Sequence, residues 1–115
     1  MSTPKSKLAS HIIAGILTLM FLMAGGTKLM AMEPHPESFQ AWGLPIWFMY
    51  VTGLTEVVAA GLTAVPKTRL WGALLLGATM LGAIATHLMH AEFAANAVPL
   101  VLGGLAGTVA WLEVK

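Results

Sequence analysis

Four apolar runs, at about residues 8–32, 45–65, 69–90 and 97–113, constrain this chain more than any other feature of its sequence. Each is ~17–25 residues long, and at ~1.5 Å per residue a helix of that length crosses a hydrocarbon core of ~30 Å. Hydrophobic residues make up 57% of the chain and charged residues only 10%, against about 25% charged in an ordinary soluble domain. Too few polar groups remain to cover a soluble surface. The sequence therefore reads as an all-α membrane protein, a single domain over residues 1–115 built as an up-down bundle of four transmembrane helices.

The breaks between runs carry the expected punctuation. Met1–Ser10 is polar and reads as a short tail. Lys5 and Lys7 ahead of an apolar run could open a signal peptide, but Met23-Ala24-Gly25 is a poor cleavage site and the run is long enough to span. Glu33-Pro34-His35-Pro36-Glu37 excludes a continuous helix. Ser38 can cap a short interfacial turn over about 38–42 that ends at Gly43. Pro45 suits the first turn of the second span. Pro66-Lys67-Thr68-Arg69 is a link tight enough to make the second and third spans a hairpin. Asn96 can cap the fourth span, with Pro99 in its first turn.

Charge sets the expected orientation. Lys5, Lys7, Lys67, Arg69 and Lys115 fall at one end of the bundle; Glu33, His35, Glu37, His90 and Glu92 fall at the other. Basic segments stay in the cytoplasm, so both termini are expected inside a bacterial cytoplasmic membrane. Trp42, Trp47 and Tyr50 would mark the outer interface, Trp71 and Trp111 the inner. The net charge of +1 gives no nucleic-acid footprint. The chain has no cysteine, which excludes thiolate metal sites and dithiol chemistry within it.

Glu56 lies near the middle of the second run, ~15 Å from either face, where an acid is costly unless paired, protonated or turned to a polar cavity. Met49, Thr52, Gly53, Glu56, Ala59, Ala60 and Thr63 share a helical face of mainly small or polar residues, so Glu56 should face the bundle. Lys28, ~6 Å deep, is its natural partner, because a lysine stem can reach inward as well as snorkel out. Thr79 and His87 lie on the third span at comparable depths. Lys28, Glu56, Thr79 and His87 thus form a candidate polar cluster, read either as a structural lock or as a site for a quinone or lipid headgroup or a proton relay. The first span should present Gly15, Thr18, Leu22, Gly25 and Lys28. The fourth carries Gly103-x-x-x-Gly107, a common helix-contact pattern.

Other candidates are weaker. His87, His90 and Glu92, with His35, Glu33 and Glu37, are metal-ligating types on the outer side, but no spacing fixes the loop residues, and no metal is assigned. His11 reads as an interfacial or capping residue, and the eight methionines as packing or lipid-facing groups. No nucleophile–base pair, phosphate loop or dinucleotide fingerprint is present.

Gly25-x-x-Lys28-Leu29, Trp42-Gly43-Leu44-Pro45-x-Trp47, Gly53-x-x-Glu56, Trp71-Gly72-Ala73 and Thr79-Met80-x-x-Ala83-x-x-x-His87 resemble, in order and spacing, the DoxX-like family of small bacterial membrane proteins. The likeness covers about residues 15–110. It implies four transmembrane helices, and it places Lys28, Glu56 and His87 at recurrent polar positions. Some relatives are subunits of quinone-reducing thiosulfate oxidoreductases; others are linked to redox-stress complexes. The expectation is therefore a non-thiol subunit of a quinone-linked or redox-stress membrane complex, not a stand-alone enzyme. Quinone is its candidate cofactor, and lipid, a protein partner or a second copy its candidate partners. The alternatives are a small proton-coupled exporter, with Glu56 as the exchanging acid, and a purely structural assembly partner.

Overall fold

The structure is a computed structural model and describes residues 4–114. Met1–Thr3 of the expected tail and the basic Lys115 lie outside the described residues. Five helices follow in order: α1 (Pro4–Leu29), α2 (His35–Ala41), α3 (Ile46–Ala64), α4 (Arg69–Met89) and α5 (Ala97–Val114), with a 3₁₀ turn at Ala94–Asn96 running into α5. Four of them, α1, α3, α4 and the 3₁₀ turn with α5, are long and apolar enough to cross a membrane. The principal contacts join α1 to α3, α3 to α4, α4 to α5 and α5 back to α1, which closes a ring.

Three helices end in the same way. After α1, Ala31 takes a left-handed φ of 52°, its N–H reaches Lys28 O, and Met32 N–H reaches Thr27 O. After α2, Gly43 (φ 73°) and Leu44 make the same pair of bonds to Gln40 O and Phe39 O. After α4, Ala91 (φ 56°) and Glu92 make them to Leu88 O and His87 O. This is the Schellman arrangement, which satisfies carbonyls a helix end leaves bare. Gly43 announces it in the sequence. Ala31 and Ala91 do not, because a Cβ disfavours the left-handed region by ~1–2 kcal/mol. The first run accordingly stops at Leu29 and not at Met32.

Several local expectations change. Residues 4–10 are helical, with Pro4 at the start of α1, where its missing N–H costs nothing. Ser6 and Ser10 are buried, two turns and one turn before Ala14 on the same stripe, and Ser10 Oγ donates to Glu113 of α5. Ser38 caps nothing; it lies inside α2, where its carbonyl accepts from Trp42 N–H. Pro45, extended at ψ 149°, is the residue before α3 and not part of its first turn. Asn96 closes the 3₁₀ turn, and its side chain binds His87 instead of capping α5.

The buried faces are stripes of three-and-four spacing. On α3 the stripe is Met49, Gly53, Glu56, Ala59, Ala60 and Thr63, the face read from the sequence except for half-buried Thr52. On α1 it is Ala14, Leu17, Phe21 and Gly25, so Gly15 and Leu22 face outward. On α5 it is Pro99, Leu102, Ala106, Val109 and Leu112. Gly107 there meets nothing within 4 Å, while a Cβ on Gly103 would stand 3.2 Å from Met80 Cβ, so only the first glycine of the Gly-x-x-x-Gly pattern serves a tight helix contact within the chain.

Two close approaches set the helix spacing. A Cβ on Gly25 would stand 2.6 Å from Gly53 O, and one on Gly53 would stand 2.9 Å from Gly25 O. Only glycine at both positions allows α1 and α3 to cross there. A Cβ on Gly72 would collide with Thr63, which brings α4 equally close to the end of α3. That end is clasped by side chains. Thr68 Oγ1 donates to Leu62 O (2.7 Å), Arg69 Nε to Thr63 O (2.8 Å) and Arg69 Nη2 to Ala64 O (3.1 Å). These bonds occupy terminal carbonyls of α3, and the guanidinium sits where the helix dipole favours a cation.

Candidate functional site

The Gly25–Gly53 crossing puts the two intramembrane charges together. Each glycine is followed three residues later by a charge, Lys28 on α1 and Glu56 on α3. The Lys28 Cβ lies against Gly53, so its stem has one turn of α3 to cover before reaching Glu56. Lys28 Nζ stands 2.8 Å from Glu56 Oε1. The Glu56 side chain is 2% exposed and that of Lys28 14%. At that separation the contact is a close ion pair, with angles short of a well-aligned hydrogen bond.

Beside the pair lies a cavity of about 960 Å³. All four long helices line it, and α2 with Trp42 roofs it. Its walls are mainly apolar by area, and its polar groups include Lys28, Glu56, Thr79 and His87 together with His35 and Glu92. The cavity is not sealed: Phe48 and Val51 of α3 and Gly82 of α4 line it and are exposed, and so are Pro34, Glu92, Ala95 and Val98 around its α2 and α5 side.

Of the four sequence-predicted residues, only Lys28 and Glu56 make a polar contact with each other. Thr79 Oγ1 donates back to Leu75 O at 2.9 Å, so its hydroxyl is spent on its own helix. His87 Nδ1 is 2.9 Å from Asn96 Oδ1. With the carbonyl oxygen accepting, the proton lies on Nδ1, and Nε2 is left with a lone pair when the ring is neutral. The His87 ring also meets the Trp42 ring edge-on, centroids 5.5 Å apart. The four share one cavity wall, not one hydrogen-bond network.

Three further groups belong to this site. Trp42 Nε1 donates to Glu92 Oε1 at 2.9 Å, which pins the end of α2 to the link after α4. Asn96 is buried and holds His87. His35, at the start of α2, donates through Nε2 to Thr27 Oγ1 at 2.9 Å, because that hydroxyl already gives its proton to Ala24 O. Burial, and then the positive Lys28, hold the His35 ring below its ordinary pKa of 6.5. The sequence signals Trp42 by its place beside Gly43. Nothing in periodicity signals Asn96 or the Thr27–His35 contact.

Of the residues weighed as metal ligands, His35, His87, His90 and Glu92 have other partners. His90 Nδ1 contacts Thr86 O, while His87 and Glu92 are engaged as above. Among the described residues no group of three or more His, Asp or Glu side chains comes together as a metal site. His11 at the far end of α1 accepts from Arg69 Nη1 through Nδ1 at 3.2 Å, since arginine only donates.

Against known proteins, residues 12–109 match the model of the DoxX-like family. That is most of the chain, and the chain belongs to this family. No curated protein and no solved structure matches it.

Two outcomes follow from the geometry. Removing one member of a buried pair strands the other, at a cost of ~3–5 kcal/mol, whereas replacing both with apolar residues is near neutral. Glu56→Ala should therefore lower the melting temperature in detergent more than Lys28→Met/Glu56→Leu does, and equal losses would count against an energetic role for the contact. For His35, the folded state binds fewer protons than the unfolded state as pH falls through 6.5. Its stabilising contribution is complete above that pH and is lost as pH drops through the lower folded value. His35→Gln should thus flatten the fall in melting temperature between about pH 7.5 and about pH 5; an unchanged slope would remove His35 as its source.

Proposed function

We propose that this DoxX-like chain is a quinone-binding subunit of a multi-component redox complex in a bacterial cytoplasmic membrane, with no thiol chemistry of its own. The observation that carries the reading is the partly open cavity of about 960 Å³ with Lys28 at its wall. Small-molecule sites are typically ~300–1,000 Å³, apolar, with few polar groups that fix orientation. Lys28 has three N–H donors and uses one direction on Glu56, so it can donate to a quinone carbonyl. Phe39, Phe48 and Trp42 offer faces for a ring. Val51 and Gly82, which line the cavity and are exposed on the helix surface, mark where an isoprenoid tail would pass into lipid. Glu56 holds Lys28 in place, and His87, fixed by Asn96, turns a second polar group to the same space. A bound quinone would supply the electron acceptor, and a partner protein the electrons.

The exporter reading needs an acid free to exchange a proton for a cation. Lys28 at 2.8 Å already neutralises Glu56, which favours the binding-subunit reading. A purely structural lock needs the pair but gives no reason for the cavity.

The orientation belongs to the same proposal. An up-down bundle with both termini inside is supported by Lys5, Lys7, Lys67 and Arg69 at one end and Glu33, Glu37 and Glu92 at the other.

Quinone extracted from protein purified in mild detergent and measured by chromatography should approach one per chain. Lys28→Met should lower that content about tenfold, the worth of one hydrogen bond to a charged group, while the variant still elutes as folded protein. Quinone-free wild type, after purification from quinone-containing membranes and after supplementation, would overturn the reading. For orientation, the chain has no other thiol, so Ser38→Cys should react with an impermeant maleimide added outside intact cells; reaction only from the cytoplasmic side would reverse the topology.

A further inference from the structure

A second cleft lies along α1 away from the Lys28 end. It has a volume of about 330 Å³ and is lined by His11, Gly15, Thr18, Leu19, Ala64 and Arg69. Arg69 is 4% exposed, yet no carboxylate lies within ion-pair distance of it among the described residues. Its three contacts are all to neutral acceptors: Thr63 O, Ala64 O and His11 Nδ1. Those carbonyls and the α3 dipole offset part of the charge, but a guanidinium with five N–H groups keeps one on each terminal nitrogen. A buried cation without a counter-ion is costly, so an anion from outside the chain would be held strongly there.

The rest of the cleft says what kind of anion. His11 accepts through Nδ1, which leaves the proton of its neutral ring on Nε2. Lys7 is exposed one turn earlier on the same face of α1. Beyond His11 the lining turns apolar. Gly15 has nothing within 4 Å of where a Cβ would stand, so it leaves a groove in the helix surface that leads to Leu19. The site is cationic at one end and apolar at the other, and it runs from the end of a membrane span into its middle.

We propose that this cleft binds an anionic glycerophospholipid, with the phosphodiester on Arg69 and His11 and one acyl chain in the groove opened by Gly15. Basic pockets between spans recognise anionic headgroups, and a basic side chain near an anionic membrane surface is worth about 1 kcal/mol, or ~5-fold in affinity. The proposal does not depend on quinone binding at the other cavity.

Native mass spectrometry of the full chain in detergent, with phosphatidylglycerol and phosphatidylcholine at equal concentration, tests it. The wild type should carry at least ~5-fold more phosphatidylglycerol. Arg69→Lys, which keeps the charge but not the fork, should reduce that preference. Arg69 also clasps α3, so a second variant guards against misfolding. Gly15→Leu fills the groove at an open, exposed position; it should leave the melting temperature in lipid-free detergent unchanged and lose bound lipid. Equal binding of both lipids by the wild type, or full lipid retention by Gly15→Leu, would overturn the proposal. Inorganic phosphate is the remaining arm: if it displaces phosphatidylglycerol and stabilises wild type and Gly15→Leu equally, the site is for a free anion and the lipid assignment fails.

Discussion

The contact between Lys28 and Glu56 depends on two missing side chains. Gly25 and Gly53 let α1 and α3 approach until the backbone of one nearly touches the other. At that separation a lysine stem can lie across Gly53 and end on a carboxylate one turn further along. Any larger residue at the crossing would push the helices apart and leave two charges in an apolar interior. The cost of such charges is high in hydrocarbon, so crossing and pair enforce one another.

The two ends of the helix ring are built differently. At one end, Gly72 packs on Thr63, Thr68 and Arg69 clasp the last carbonyls of α3, and Ser10 reaches Glu113. At the other, the four long helices leave a cavity between them, roofed by α2 and Trp42 and tied by the Trp42–Glu92 bond.

Much of the fold was legible because membrane spans are read from length and apolarity, and because Lys28 and Glu56 are the charges deep within those runs. The outward-facing side of α1 was misread for a physical reason. In lipid both sides of a helix are apolar, so small residues become the only cue, and Gly15 is small without being buried. The ends at Ala31 and Ala91 were hidden because alanine seldom adopts a left-handed φ. The site was legible only as far as residue types go. Thr79 and His87 do line the cavity, but their bonds to Leu75 O and Asn96 depend on a helix carbonyl and a 3₁₀ turn that no spacing rule reveals. Arg69 looked like part of a basic turn; its burial comes from the close packing of α4 on α3.

The segment between α1 and α3 hangs between two left-handed residues, Ala31 and Gly43, and contributes little to the long-helix contacts. It nevertheless forms the roof of the cavity through Pro34, His35, Ser38, Phe39 and Trp42. The roof and the helix crossing thus come from different parts of the chain. Substitutions in the roof can reshape the cavity while the Gly25–Gly53 crossing stays as it is, so the space beside Lys28 can change without the fold being rebuilt.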